Sequence, residues 1–241
     1  MVSAGSPPRV AKRTEERWGS GVAAMPALLL HRDRVYRATA SGPAPVMSGA
    51  GRPIEFYDII DPLAAEHPRL FVVDLEAIDG RDPQLDLMQE VSREISLWVD
   101  AGVRTADQAI DVLVAGAERA VLSSARLNGP EELARAWSLS PNLAVEIELQ
   151  DGTLTPVHPD WRAASAADLA QRVLTEAQVP LIVGFRAAGP DWPIVRSIAS
   201  QAPTWVAGEV GPSHAPEIQA AGAIGGIYPL GDEIRHYADV P

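Results

Sequence analysis

Between residues 70 and 127 three short apolar runs, LFVV at 70–73, LWV at 97–99 and AVL at 120–122, alternate with stretches patterned for helix. This is a β-α-β-α-β rhythm. Strands joined through helices return to the same end of a sheet and therefore pair in parallel. The residues that end these runs, Asp74, Asp100 and the Ser123-Ser124 pair, collect at the carboxyl edge of that sheet, where α/β proteins place their chemistry.

The rhythm extends along the chain. MPALLL (25–30) precedes a charged turn, residues 31–34, and an alternating VYRA that reads as a hairpin. NLAVEIEL (142–149), PLIVGF (180–185), TWVA (204–207) and IGGIY (224–228) bring the strand-like runs to eight. Their continuous apolarity signals burial on both faces. Eight parallel strands in 241 residues predict an α/β fold of the (β/α)8 TIM-barrel type, with an open doubly wound sheet as the alternative. Thr105 with Gln108, and Ser165 with Asp168, have the spacing of helix N-caps. The helical faces expected to be buried are Leu85, Leu87, Met88 and Val91; Ala109, Ile110, Leu113, Val114 and Ala117; and Leu169, Val173 and Leu174. Residues 41–53, rich in Gly, Pro, Ala and Ser, read as a flexible surface loop, and residues 58–68 as a helix of one or two turns punctuated by Pro62 and Pro68. The first 24 residues mix Gly, Ser, Pro and both charges without period, so a disordered leader is expected there and a single barrel domain over residues 25–241. A weak repeat of DAGVRTADQAIDVLVAGAERAVL near the C-terminus suggests two related half-barrels.

Charge narrows the function. With 20 Lys and Arg against 32 Asp and Glu, the formal net charge is -12, which repels nucleic-acid phosphates and anionic lipid. Neither nucleic acid nor membrane is expected as a partner; a small molecule is, and a protein partner is left open. There are no cysteines, so disulfides and thiolate metal sites are excluded, and a cytoplasmic location is the expectation. The histidines show no ligand spacing, and no cofactor is expected, although the acidic rim leaves room for a divalent cation.

Taken in order, these blocks resemble the two-half barrels of histidine biosynthesis, specifically the isomerase of the phosphoribosylformimino-aminoimidazole carboxamide ribotide (ProFAR) step. MPALLLHRDRVYRA resembles the family's IPAIDL strand with its charged turn and VVRL. LFVVDLE resembles HVVDLD, WVDAGVRT resembles VGGGIRS, AVLSSA resembles VIIGTA, VEIELQDG resembles VSLDARDG, and WVAGEVG resembles IASGGVS. The resemblance implies a ribulose-phosphate-binding type of barrel. It also implies an Amadori rearrangement in which two carboxyl groups across the barrel move a proton, while glycines after the third, fourth, seventh and eighth strands cradle two phosphates.

The departures are specific. The first-strand carboxylate falls on Leu29, and the fifth-strand one on Glu148. The strand-three glycines become Asp100 and Ala101 with Gly102 retained, and the strand-four Gly-Thr becomes Ser123-Ser124. Gly208 survives beside Glu209, and the last strand ends in Tyr228-Pro229, where proline offers no N–H. These changes argue against the histidine-pathway step itself, and DLEAIDG with DAGVR is closer to a divergent branch found with one-carbon cofactor biosynthesis.

The candidate site follows from these positions. Glu148 and Asp74 are the expected acid and base. Asp100, Gly102, Arg104, Ser123, Ser124, Arg126, Trp161, Gly208 and Glu209 are the expected substrate or phosphate contacts, with Gly102, Ser123, Ser124 and Arg126 the better-preserved cradle and Trp161 matching a stacking tryptophan of the family. Two readings of the acids stay open: a site for catalysis, or ion pairs with Arg104, Arg126 and Arg186. Glu146 shares a strand face with Glu148, so one of the two lies deeper in the barrel and needs a partner if buried. The alternatives are the ProFAR isomerase proper and a barrel without catalysis that binds or scaffolds.

Overall fold

The computed structural model describes residues 16–18, 21–39, 41–186, 189–231 and 233–238. Its strands are β1 (Arg17–Trp18), β2 (Val22–His31), β3 (Arg34–Arg37), β4 (Ala44–Pro45), β5 (Arg69–Asp74), β6 (Ser96–Asp100), β7 (Arg119–Ser123), β8 (Leu143–Gln150), β9 (Thr153–Leu154), β10 (Leu181–Arg186), β11 (Thr204–Ala207) and β12 (Gly225–Pro229). Its helices are α1 (Ile60–Glu66), α2 (Leu75–Ile78), α3 (Leu85–Val91), α4 (Ala106–Val114), α5 (Pro130–Leu139), α6 (Ala166–Glu176), α7 (Trp192–Ala199), α8 (Ala215–Ala220) and α9 (Ile234–Ala238).

Strands β2, β5, β6, β7, β8, β10, β11 and β12 pair in parallel in that order. β12 then pairs with β2, from Gly225 opposite Ala23 to Pro229 opposite Ala27, and the sheet closes into a TIM barrel. All eight strand-like runs of the sequence are barrel strands. The remaining strands are antiparallel attachments: β1 and β3 on β2, β4 on β3, and β9 on β8.

Closure splits the apolar residues into two sets. Ala23, Met25, Phe71, Val73, Trp98, Val121, Ala144, Ile182, Trp205, Ala207 and Ile227 fill the lumen, with Leu29, Leu75 and Ile78 packed against them near the mouth. A larger cluster lies between the sheet and its helices. Because side chains alternate along a strand, this division fixes where every polar strand end points.

Helix caps form where spacing placed them. Thr105 Oγ1 accepts from the Gln108 N–H at 3.4 Å, and Ser165 Oγ from the Asp168 N–H at 3.1 Å. The buried face of α4 differs from expectation: Ala106, Ala109 and Val112 point inward, while Val114 in the last turn is 76% exposed. Apolar residues there span more than one face, and the helix turns its narrow alanine side to the sheet. The loop expected over residues 41–53 is partly built into the fold, since β4 pairs with β3 and Val46 is buried.

The barrel also begins earlier than residue 25. Most of the expected leader lies outside the described residues, but β1 pairs with the start of β2, so the ordered sheet reaches back to Arg17. Glu16 bonds Tyr228 Oη at 3.0 Å and His67 Nδ1 at 2.7 Å, and His67 Nε2 lies 3.2 Å from Tyr237 Oη. This ties the N-terminal segment to α1, β12 and α9. Among the described residues no helix is long and apolar enough to cross a membrane.

The loop after β6 is locked to α2 by Gly102. It adopts φ +61°, and a Cβ there would lie 2.7 Å from the Ala77 carbonyl oxygen and 2.8 Å from Ile78 Cα. Both contacts are backbone and cannot give way. Gly102→Ala is expected to destabilise the protein by roughly 2–4 kcal/mol in urea unfolding, the sum of a left-handed backbone penalty and local overpacking; an unchanged midpoint would refute the lock.

Candidate active site

Five charged side chains converge inside the mouth of the barrel. Asp100 ends β6, Glu146 and Glu148 lie on the inward face of β8, Arg126 follows β7, and Arg186 ends β10. The three carboxyl groups are nearly or wholly withdrawn from water, at 0%, 3% and 5% exposure. Arg126 is largely covered, whereas the Arg186 side chain is 43% exposed at the opening.

Glu148 is the best-connected member. Its Oε1 accepts hydrogen bonds from Ser123 Oγ and from Arg126 Nη1, the latter at 2.8 Å. Its Oε2 meets only Arg186, with Nε at 3.4 Å. Arg126 also lies 3.6 Å from Asp100 Oδ2, and Arg186 Nη2 lies 3.6 Å from Glu146 Oε1. Two guanidinium groups thus serve three carboxyls.

That shortage bears on protonation. Burial pushes the Glu146 carboxyl up to about 7, opposed by Arg186 and reinforced by Glu148 and Asp100. Asp100 is also raised by burial, with Arg126 and the Gly102 N–H pulling the other way. Near neutral pH the Glu146 carboxyl is therefore close to its midpoint, beside two further carboxyls that share the two guanidinium groups.

Of the expected site residues, Glu148, Asp100, Ser123 and Arg126 come together. Asp74 does not join them. Val73 faces the lumen, so Asp74 faces the helix layer, where its oxygens accept from the Glu76, Ala77 and Gln84 N–H groups at 3.1, 3.2 and 2.9 Å and from Gln84 Nε2 at 3.3 Å. It caps α2 and pins the following loop, which corrects its expected role as acid or base. Ser124 likewise points away from the lumen, one residue past inward Ser123.

The expected phosphate cradle is already engaged. The Gly102 N–H donates to Asp100 Oδ1 at 3.0 Å. Beyond β7, the Ser124 N–H bonds the Glu146 carbonyl, Ala125 bonds Ser123 Oγ, and both Arg126 and Leu127 bond the Ser123 carbonyl.

Arg104 and Glu209 are exposed rim residues outside the cluster. Gly208, at φ +129°, is needed because a Cβ would lie 2.8 Å from the Phe185 carbonyl oxygen, a constraint of packing. Trp161 is 1% exposed within the outer core, so it anchors its loop and presents no face for stacking. The divalent cation for which the acidic rim left room meets two guanidinium groups instead, and among the described residues no group of three or more His, Asp or Glu is arranged to hold a metal ion. Glu146 and Arg186 were not among the expected substrate contacts, but the Glu-x-Glu spacing on one strand and the arginine ending the next mark them as a buried carboxyl and an ion-pairing arginine, and the structure pairs them.

A family model described as histidine biosynthesis protein matches residues 24–183. The chain is 28% identical over 142 residues to the 1-(5-phosphoribosyl)-5-((5-phosphoribosylamino)methylideneamino)imidazole-4-carboxamide isomerase of Picosynechococcus sp., covering 55% of this chain and 56% of that protein. It is 33% identical over 89 residues to the isomerase of the same name from Dehalococcoides mccartyi, covering 35% of this chain and 36% of that protein. The chain thus spans from about a third to just over half of the length of these curated relatives.

The raised Glu146 has a consequence for stability. A carboxyl with a folded-state pKa above its unfolded value favours the folded state at low pH, and that advantage is lost as pH climbs from about 4.5 through about 7. Glu146→Gln is therefore expected to gain stability relative to the native chain between pH 5 and pH 8.5, by on the order of 3 kcal/mol in denaturant titrations. A pH-independent difference between the two would overturn the assignment.

Proposed function

The chain belongs to the histidine biosynthesis protein family, and on that footing we propose that it is an isomerase-like enzyme that uses Glu148 for acid/base chemistry on a small sugar-linked or heterocyclic metabolite. The observation that carries this reading is the asymmetry of the Glu148 carboxyl: Ser123 and Arg126 hold Oε1, while among the described residues Oε2 faces only the half-exposed Arg186. Two donors on one oxygen fix the carboxyl's orientation, and the less committed oxygen is the one available to take a proton from a substrate and return it to a neighbouring atom.

A single-carboxylate shuttle suits what the opposite wall offers. Leu29 stands at the end of the first barrel strand, and Asp74 is turned outward with four hydrogen-bond donors on it. Proton removal and return on one face of the substrate need no second carboxylate across the barrel. The engaged N–H groups after β6 and β7, with Pro229 at the end of β12, favour a substrate with at most one phosphate. A place in one-carbon cofactor biosynthesis belongs to this proposal on the strength of the DLEAIDG and DAGVR blocks alone.

A second reading, turnover of ProFAR itself, is favoured by the names of the relatives. Incubating the full chain and its Glu148→Gln variant with a cell metabolite extract, and separately with ProFAR, distinguishes the readings. The expected outcome is a metabolite consumed by the native chain and consumed roughly 10²–10⁴-fold more slowly by the variant, with ProFAR untouched. Equal rates would remove Glu148 from the chemistry, consumption of ProFAR would establish the second reading, and no consumption by either would point to a binding barrel.

A further inference from the structure

Glu146 has no part in the shuttle just described, yet the fold makes room for it. It sits two residues before Glu148 on the inward face of β8, opposite Ser123 of β7 and Ile182 of β10. On β10, a Cβ at Gly184 would collide with the Glu146 carboxyl, so the missing side chain at 184 is the space that this carboxyl fills. The next inward residue of β10 is Arg186, and its guanidinium spans two levels, reaching Glu148 through Nε at 3.4 Å and the deeper Glu146 through Nη2 at 3.6 Å. Among the described residues, the charged groups facing Glu146 are Glu148 from its own strand, Arg186 from β10, Asp100 from β6 and Arg126 after β7.

We propose that Glu146 is a positioning residue for Glu148: when neutral it leaves Arg186 to Glu148, and when ionised it draws Arg186 deeper into the lumen and releases Glu148. The inference rests on the reading of Glu148 as the working carboxylate, but its physical content is the competition of two carboxyls for one guanidinium. Arg186 is the partner able to move, since its side chain is 43% exposed at the mouth whereas Arg126 is 18% exposed and bonded to Oε1. Burial brings the Glu146 titration to about 7, so the exchange falls in the physiological range.

NMR of the full chain tests this without any substrate. Glutamate carboxyls carry 13C, the Arg186 Nε–H is followed by 15N, and assignments come from the E146Q, E148Q and R186K variants. The expected result is a Glu146 carboxyl that titrates in the neutral range and an Arg186 Nε–H signal that shifts with the same midpoint. That Arg186 transition should vanish in E146Q and in Gly184→Ala, which moves the carboxyl without changing any charge. Should either variant fail to fold, E146S and the E146S/G184A double variant serve in their place. Alanine at 184 should then be tolerated, because the carboxyl it would strike is gone. An Arg186 signal that stays flat from pH 5 to 9 in the native chain, or a transition that survives removal of Glu146, overturns the proposal. These readouts involve no turnover, so they can fail while Glu148→Gln still abolishes activity, and the reverse.

Discussion

Closure of the sheet by the pairing of β12 with β2 is the constraint on which the rest of the molecule depends. An open parallel sheet has two edges and two outer faces; a closed one has a lumen, and alternate residues of every strand must fill it. In its lower part that filling is apolar, with Met25, Phe71, Trp98, Val121, Ile182 and Trp205 meeting across the axis. Toward the mouth it turns polar on one side only. β6, β7, β8 and β10 are consecutive neighbours in the barrel, and they contribute Asp100, Ser123, Glu146, Glu148 and Arg186 to one crescent, while β2 contributes Leu29.

Such a crescent is costly to bury unless its charges meet partners. Here each partner is shared. Arg126 touches Asp100 and Glu148, and Arg186 touches Glu148 and Glu146, so Glu148 is the one carboxyl that both guanidinium groups reach. Burial raises the Glu146 carboxyl to about 7, reinforced by Glu148 and Asp100 and opposed by the shared Arg186. Electrostatics and topology are thus one argument: the barrel brings the acids together, and their number exceeds that of the cations brought with them.

The chain's departures from the pattern of the family it resembles are mutually consistent. After β6, Asp100 bonds the Gly102 N–H and pairs with Arg126. Where a carboxylate would stand on the first strand, the lumen is apolar. On β8 two glutamates share one face.

The sequence by itself determined the fold: eight continuous apolar runs separated by capped helices admit few arrangements, and the polar residues ending those runs marked the working edge. It also placed Glu148 near the end of a barrel strand, a position within VEIELQDG set by local pattern. Tertiary structure decided which face each strand end presents and which of the expected partners each acid meets. A strand end read one residue off places a side chain on the opposite face, which is why Asp74 belongs to the helix layer and Asp100 to the lumen. Whether Trp161 stacks on a ligand or anchors its loop was decided by packing from distant elements, which bury it. Of the arginines expected to pair with the acids, the structure selects Arg126 and Arg186 and leaves Arg104 on the rim, because which acid meets which guanidinium follows from barrel register, and no local pattern encodes that.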